Sequence, residues 1–272
     1  MSSKDMPVIG LHGAPRSGTS WIGQIFNSAP EVAYRFQPFF AYAFHERADN
    51  ARTAGDLDAI LRDIALTDDA YILQTGERRL AQREVSFAKA APQALVYKEV
   101  RFHHLLPQLM EIDRFSGVGI VRDPIDVLSS WIKAPREFKP EWSVEAEWRF
   151  AASKNGGRPE EFYGYEGWKR AALLFEDLQA KAPRRFRILS YDALLDRPLA
   201  TVTALFEALG LPMSGQVEAF VESSTASADD DPYGVFRDIS LGRSPSILSA
   251  AIQDWIREDV QRSGLGRHLR AR

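Results

Sequence analysis

The segment Val8-Ile9-Gly10-Leu11-His12-Gly13-Ala14-Pro15-Arg16-Ser17-Gly18-Thr19-Ser20-Trp21 constrains this chain more than any other. An apolar run leads into a loop bounded by Gly13 and Gly18, and then into residues that begin a helix. A buried strand, a glycine-bounded turn and a helix start, in that order, make a cradle for phosphate. First-turn N–H groups and the positive end of the helix dipole converge there on one anion. The glycines keep the spacing of G-x-x-x-x-G-K-[ST], yet Thr19 stands where the lysine belongs, and the nearest cation, Arg16, lies inside the loop. The pattern points to an anionic nucleotide and away from ordinary ATP or GTP hydrolysis.

Further apolar runs extend this start into a fold. Pro7–His12, Ala94–Val100 and Gly117–Arg122 read as buried parallel strands, with Phe186–Ser190 as a fourth. Helical patterns follow at Thr19–Asn27, Pro124–Ile132, Tyr165–Lys181, Leu199–Leu209 and Ser246–Arg262. Asp123-Pro124 is a start signal, and Gly210 and Gly264 are stop signals. The alternation predicts one α/β domain over residues 1–272, a P-loop-type parallel sheet flanked by helices. Residues 135–164, rich in charge, aromatics and glycine but without a clean period, read as an insertion or lid near the site.

Composition removes several classes. Lys and Arg total 34 against 37 Asp and Glu, a net charge of -3, so no global field favours nucleic acid. The absence of cysteine excludes disulfides, thiolate metal sites and a cysteine nucleophile. The start MSSKDMPVIG lacks a secretory h-region, and no stretch approaches the roughly 20 apolar residues that span a bilayer. The expectation is a soluble, cytoplasmic protein. Its oligomeric state is not legible. The tail, with Arg262, Arg267, Arg270 and Arg272, reads as a solvated end.

Open α/β sheets place ligands at the carboxyl ends of their strands. Backbone N–H groups of Ser17, Gly18, Thr19 and Ser20 would face an anion there, with hydroxyls of Ser17, Thr19 and Ser20 as further donors and Arg16 as the fixed charge. Trp21 offers a flat face to a base, or else belongs to the core. Arg122 ends a later strand, and Ser130 lies about two turns into the next helix, so both can reach one phosphate. An ion pair between Arg122 and Asp126 is the plainer alternative. Two phosphate sites on one sheet imply a nucleotide phosphorylated at both ends.

These motifs resemble those of the sulfotransferases that use 3'-phosphoadenosine 5'-phosphosulfate, most closely the carbohydrate and bacterial branches, from Val8 to about Trp255. The resemblance implies that Pro15–Trp21 binds the 5'-phosphosulfate and that Arg122 and Ser130 hold the 3'-phosphate. Tyr191-Asp192 is similar to the family's tyrosine-acid motif and implies Tyr191 near the nucleotide. Gly242-Arg243 is similar to a late basic loop and adds Arg243 to the donor site. The implied reaction moves a sulfuryl group, without a metal, to a hydroxyl of a small molecule or glycan, a carbohydrate or glycolipid first. Arg16 is the expected stabiliser of leaving-group charge, with Lys98 as the second candidate. In carbohydrate-type relatives a Glu-Pro pair supplies the base; here Phe36-Gln37-Pro38 stands instead, and a glutamine cannot take a proton. Cytosolic relatives carry a histidine where this chain has Val100. The base candidates that remain are Glu99, His103, His104 and His45. Two aromatic groups, one running from Tyr34 to Phe44 and one from Trp142 to Trp168, read either as acceptor walls or as core. Two other functions stay open. A P-loop small-molecule kinase would need a lysine after Gly18 and a carboxylate for Mg²⁺; a non-catalytic nucleotide-binding module would fit the missing base.

Overall fold

The computed structural model describes residues 6–75, 86–226, 233–236, 238–239 and 245–270. Five strands, β1 Val8–His12, β2 Val32–Phe36, β3 Ala94–Glu99, β4 Phe115–Val121 and β5 Phe186–Ser190, form one sheet. All neighbours pair in parallel, in the order β2-β3-β1-β4-β5. The longer helices are α1 Thr19–Ser28, α2 Tyr42–Asn50, α3 Ala54–Leu66, α6 Pro124–Ile132, α9 Gly164–Lys181, α11 Pro198–Ala208, α12 Gly215–Thr225 and α13 Ala250–Arg262. Shorter ones are α4 Ala70–Leu73, α5 Leu106–Leu109, α7 Val144–Glu147, α8 Ala152–Asn155 and α10 Tyr191–Asp196.

Strand alternation divides the apolar residues between two cores. Val8, Leu95, Tyr97 and Phe115 pack in one with Trp131, Trp168 and Phe175; Ile9, Leu11, Val96, Val118 and Ile120 pack in the other with Ile22, Phe26 and Phe206. Both faces are covered, which is why the central strands read as continuous apolar runs. The chain leaves β1 toward β2 and β3 on one side, and leaves β4 toward β5 on the other. The loops after β1 and β4 therefore diverge and open a crevice at their carboxyl ends, the switch point of an open α/β sheet.

Four points differ from the sequence expectations. The edge strand β2 was not foreseen: in Val32-Ala33-Tyr34-Arg35-Phe36 only Val32 and Tyr34 are buried, so its apolar signal is half that of a central strand. Helix α13 begins at Ala250 with Ser249 as cap, accepting from the Ile252 amide, whereas Ser246 bonds Ser129 Oγ at 2.8 Å. The tail is docked rather than solvated. Leu265 is buried, Arg267 and His268 both pair with Glu176, and the Arg270 amide donates to Asp123 Oδ2 at 2.9 Å. Asp123 thus caps α6 through the Ile125 amide at 2.8 Å and also anchors the tail. In segment 135–164, Phe138 and Phe162 are buried and Trp142 and Trp148 pack on the core, so the segment is built into the body of the fold.

Candidate functional site

Residues 13–18 make a tight, strained turn between β1 and α1. Ser17 N donates to Ala14 O at 3.1 Å, and Arg16 and Gly18 adopt positive φ of 72° and 90°. At Gly18 a side chain would meet both obstacles at once: a left-handed backbone, and the Tyr191 ring 2.3 Å from a built Cβ. The glycine lets the loop lie flat against Tyr191. Gly18 is also the N-cap of α1, and no side chain caps that helix, so its first-turn donors face the crevice. Ser17 Oγ is buried and has no hydrogen-bond partner among the described residues.

The second motif closes on the first. Arg16 Nε donates to Ser130 Oγ at 3.2 Å, and Arg122 Nη1 donates to the Arg16 carbonyl at 3.3 Å. Arg122 also lies 4.7 Å from the Tyr191 ring centroid and 3.9 Å from Asp126, so the plainer ion pair coexists with placement at the cleft. The cleft has a volume of about 350 Å³, and Arg16, Gly18, Thr19, Ser20, Arg122 and Ser130 line it together with Tyr191. Trp21 reaches its wall but is 1% exposed; its indole N–H donates to Ser224 Oγ at 2.9 Å and its ring meets Tyr191 edge-on. Arg243 lies outside the described residues.

Lys98 and Glu99 separate as strand alternation requires. Lys98 lines the cleft, with Nζ 4.5 Å from the Phe36 ring centroid. Burial pushes its ammonium well below the ordinary lysine range, partly offset by Glu99. Glu99 points to the opposite face, where it accepts from the Phe39 amide at 2.7 Å; burial raises its carboxyl above the usual range. Glu99 does not line the cleft, nor do the three histidine candidates. His45 pairs with Asp49 at 3.2 Å on the exposed side of α2. His104 is exposed, and His103 is fully buried against His12, with the two Nδ1 atoms 3.0 Å apart.

The fold brings in residues that no motif announced. Glu137, from segment 135–164, lies 3.8 Å from Arg16 and is the one acidic side chain on the cleft wall among the described residues. Its Oε2 is enclosed and without a hydrogen-bond partner there. Arg101, just past β3, is fixed by Glu161 at 2.8 Å and by the Phe40 ring at 4.1 Å. Its Nη1 donates to Gln37 Oε1 at 3.1 Å. Gln37 thus meets an arginine, at a positive φ of 41°. For Glu137 the only signal was charge inside an aperiodic segment, and for Arg101 only its place just past a strand end. Of the aromatics, Tyr34, Phe36 and Tyr163 reach the cleft, Phe39, Phe44 and Trp168 are core, and Tyr42 is fully exposed. Among the described residues no cluster of His, Asp or Glu is placed to hold a metal, and no helix is long and apolar enough to cross a membrane.

Comparison with known proteins identifies the family and the fold. The model of the Sulfotransferase family matches residues 7–215. Human carbohydrate sulfotransferase 3 is 22% identical over 278 residues, covering 81% of this chain; the chain spans only 57% of that protein's length. Among solved structures, mouse sulfotransferase SULT7A1 complexed with PAP superposes with a TM-score of 0.56 at 14% identity, covering 97% of this chain and 86% of its own. A sulfotransferase from Alicyclobacillus acidocaldarius gives 0.52 at 16% identity, covering 97% of each chain. At these identities the two structures speak to the fold alone.

Proposed function

The chain belongs to the sulfotransferase family, and on that premise we propose that it transfers a sulfuryl group from 3'-phosphoadenosine 5'-phosphosulfate to an acceptor hydroxyl. The observation that carries the reading is the junction of two phosphate-directed loops at one cleft, where Arg16 bonds Ser130 and Arg122 bonds the Arg16 carbonyl. The residues fit such a donor. Gly18 leaves room beside Tyr191 that a Cβ would fill, and Arg122 and Ser130 sit one loop away from the glycine turn. The PAP held by the mouse relative is the donor's desulfated product, which is consistent with this assignment.

When bound, the donor supplies a sulfuryl group on a phosphate whose bridging oxygen gathers charge as it leaves. Arg16 and Lys98 line the cleft, and their charges stabilise that leaving oxygen in the reading proposed here. Lys98, with its ammonium weakened by burial, is able to pass a proton to the leaving oxygen. Glu137 takes the acceptor proton: it alone offers a carboxylate to the cleft among the described residues. Gln37 orients the acceptor. A carbohydrate acceptor is supported by the human relative, a carbohydrate sulfotransferase.

Replacing Glu137 by Gln should lower kcat by about 10²–10⁴-fold while leaving donor affinity nearly intact. Wild-type turnover in E137Q would remove Glu137 from the reaction. Labelled sulfate transfer to a panel of glycans tests the acceptor class; labelling of phenols but of no glycan would reject the carbohydrate assignment.

A further inference from the structure

Positive charge in the cleft extends beyond the two phosphate-directed loops. Six basic side chains line it among the described residues, Arg16, Lys98, Arg101, Arg122, Arg136 and Lys154, against the single acid Glu137. Arg16, Arg122 and Lys98 cluster around the strand ends and the glycine loop. Arg101 and Lys154 come from elsewhere, the turn after β3 and helix α8, and meet over one ring. The Arg101 guanidinium lies 5.8 Å and the Lys154 ammonium 4.8 Å from the Tyr163 centroid. Burial disfavours the ammonium of Lys154, Glu137 partly offsets this, and Arg101 adds to the lowering. Two cations over one aromatic ring favour an anion that bridges them on the cleft side.

Gln37 sharpens this. Its amide oxygen accepts from Arg101 Nη1, a position where a carboxylate would bond equally well and cancel the charge. The neutral amide keeps the wall positive. Glu161 neutralises Arg101 from behind and does not reach the cleft wall. Lys154 takes part in no ion pair among the described residues.

We propose that Arg101, Lys154 and Gln37 form an anion subsite, so that the acceptor carries its own carboxylate, sulfate or phosphate group beside the hydroxyl it offers. This rests on the sulfotransferase reading and narrows it from a carbohydrate to an acidic one.

Calorimetry on the full chain saturated with adenosine 3',5'-bisphosphate tests it. The probes are D-glucuronate, glucose 6-phosphate and the neutral methyl β-D-glucoside. At least one anionic sugar should bind about tenfold or more tightly than the glucoside. A preference for glucuronate identifies a carboxylate acceptor, and one for the phosphate an ester. Gln37→Glu retains an oxygen acceptor for Arg101 and so preserves the fold, and Lys154→Gln alters a partly exposed side chain. Each should remove most of the preference, which separates this subsite from anion binding at Arg16 or Lys98. Equal affinities, no measurable binding of either anion, or a preference that survives both substitutions would overturn the proposal. Failure of the wild-type protein to bind the bisphosphate would instead overturn the donor assignment beneath it.

Discussion

Arg122 is held from several directions: a bond to the Arg16 carbonyl, an ion pair to Asp126 and the face of Tyr191. A guanidinium fixed this way presents a preset charge to a phosphate. Arg122→Ala should weaken adenosine 3',5'-bisphosphate binding by about 10–100-fold, the range of a lost charge-assisted contact, and adenosine 5'-phosphosulfate binding far less. Equal losses for both would show that Arg122 does not read the 3'-phosphate. Gly18→Ala is the complementary test, since it forces a Cβ into a left-handed position and against Tyr191. It should cost about 1–3 kcal/mol of stability in a denaturant melt and reduce nucleotide affinity more than Ser20→Ala does. The grouping of Arg16 and Gly18 to Trp21 with Arg122 and Ser130 at one cleft was legible because each set lies in one short stretch that follows a strand. Glu137, Arg101 and Lys154 were not, because Arg101 follows β3 while the other two lie apart within segment 135–164, and only folding sets them around one cleft. The same limit applied to the base candidates. Spacing brought Glu99 near Lys98, but strand alternation turned it to the other face, and His103 went to the interior.

At the scale of elements, the loop after β1 rests on a buried polar chain. His12 ends β1, its Nδ1 lies 3.0 Å from His103 Nδ1, and its Nε2 lies 3.1 Å from the Tyr97 hydroxyl. Neutral tautomers serve both contacts in either direction, Tyr97 to His12 to His103 or the reverse, and His103 Nε2 has no hydrogen-bond partner among the described residues. Burial lowers His12 to about 3 and His103 well below its ordinary value. Both folded values are depressed, so the folded state refuses protons that the unfolded chain accepts below about pH 6.5. Stability contributed by these neutral histidines is fully present above that pH. It falls as pH drops toward 3, by up to about 1.4 kcal/mol per pH unit for each. Urea melts at successive pH values should show this slope, and His12→Gln should flatten it; an identical slope in the variant would remove His12 as its source. The elements themselves divide by burial. The central strands and α6, with its Asp-Pro start, were plain in the sequence, whereas β2 lay hidden among aromatics because half of it faces away from the core.

For the whole molecule, a chain of net charge -3 concentrates positive side chains in one cleft at the switch point of its sheet. A low-dielectric concave wall focuses that field on an anionic nucleotide, so affinity should fall with added salt. The docked tail contributes indirectly, through Asp123 at the start of the helix that carries Ser130. The direct measurement of the central claim is calorimetric titration with adenosine 3',5'-bisphosphate and with ATP, each in EDTA and in Mg²⁺. The account predicts saturable bisphosphate binding that EDTA leaves unchanged and that exceeds ATP binding in both conditions. Binding of ATP alone, and only with Mg²⁺, would contradict it.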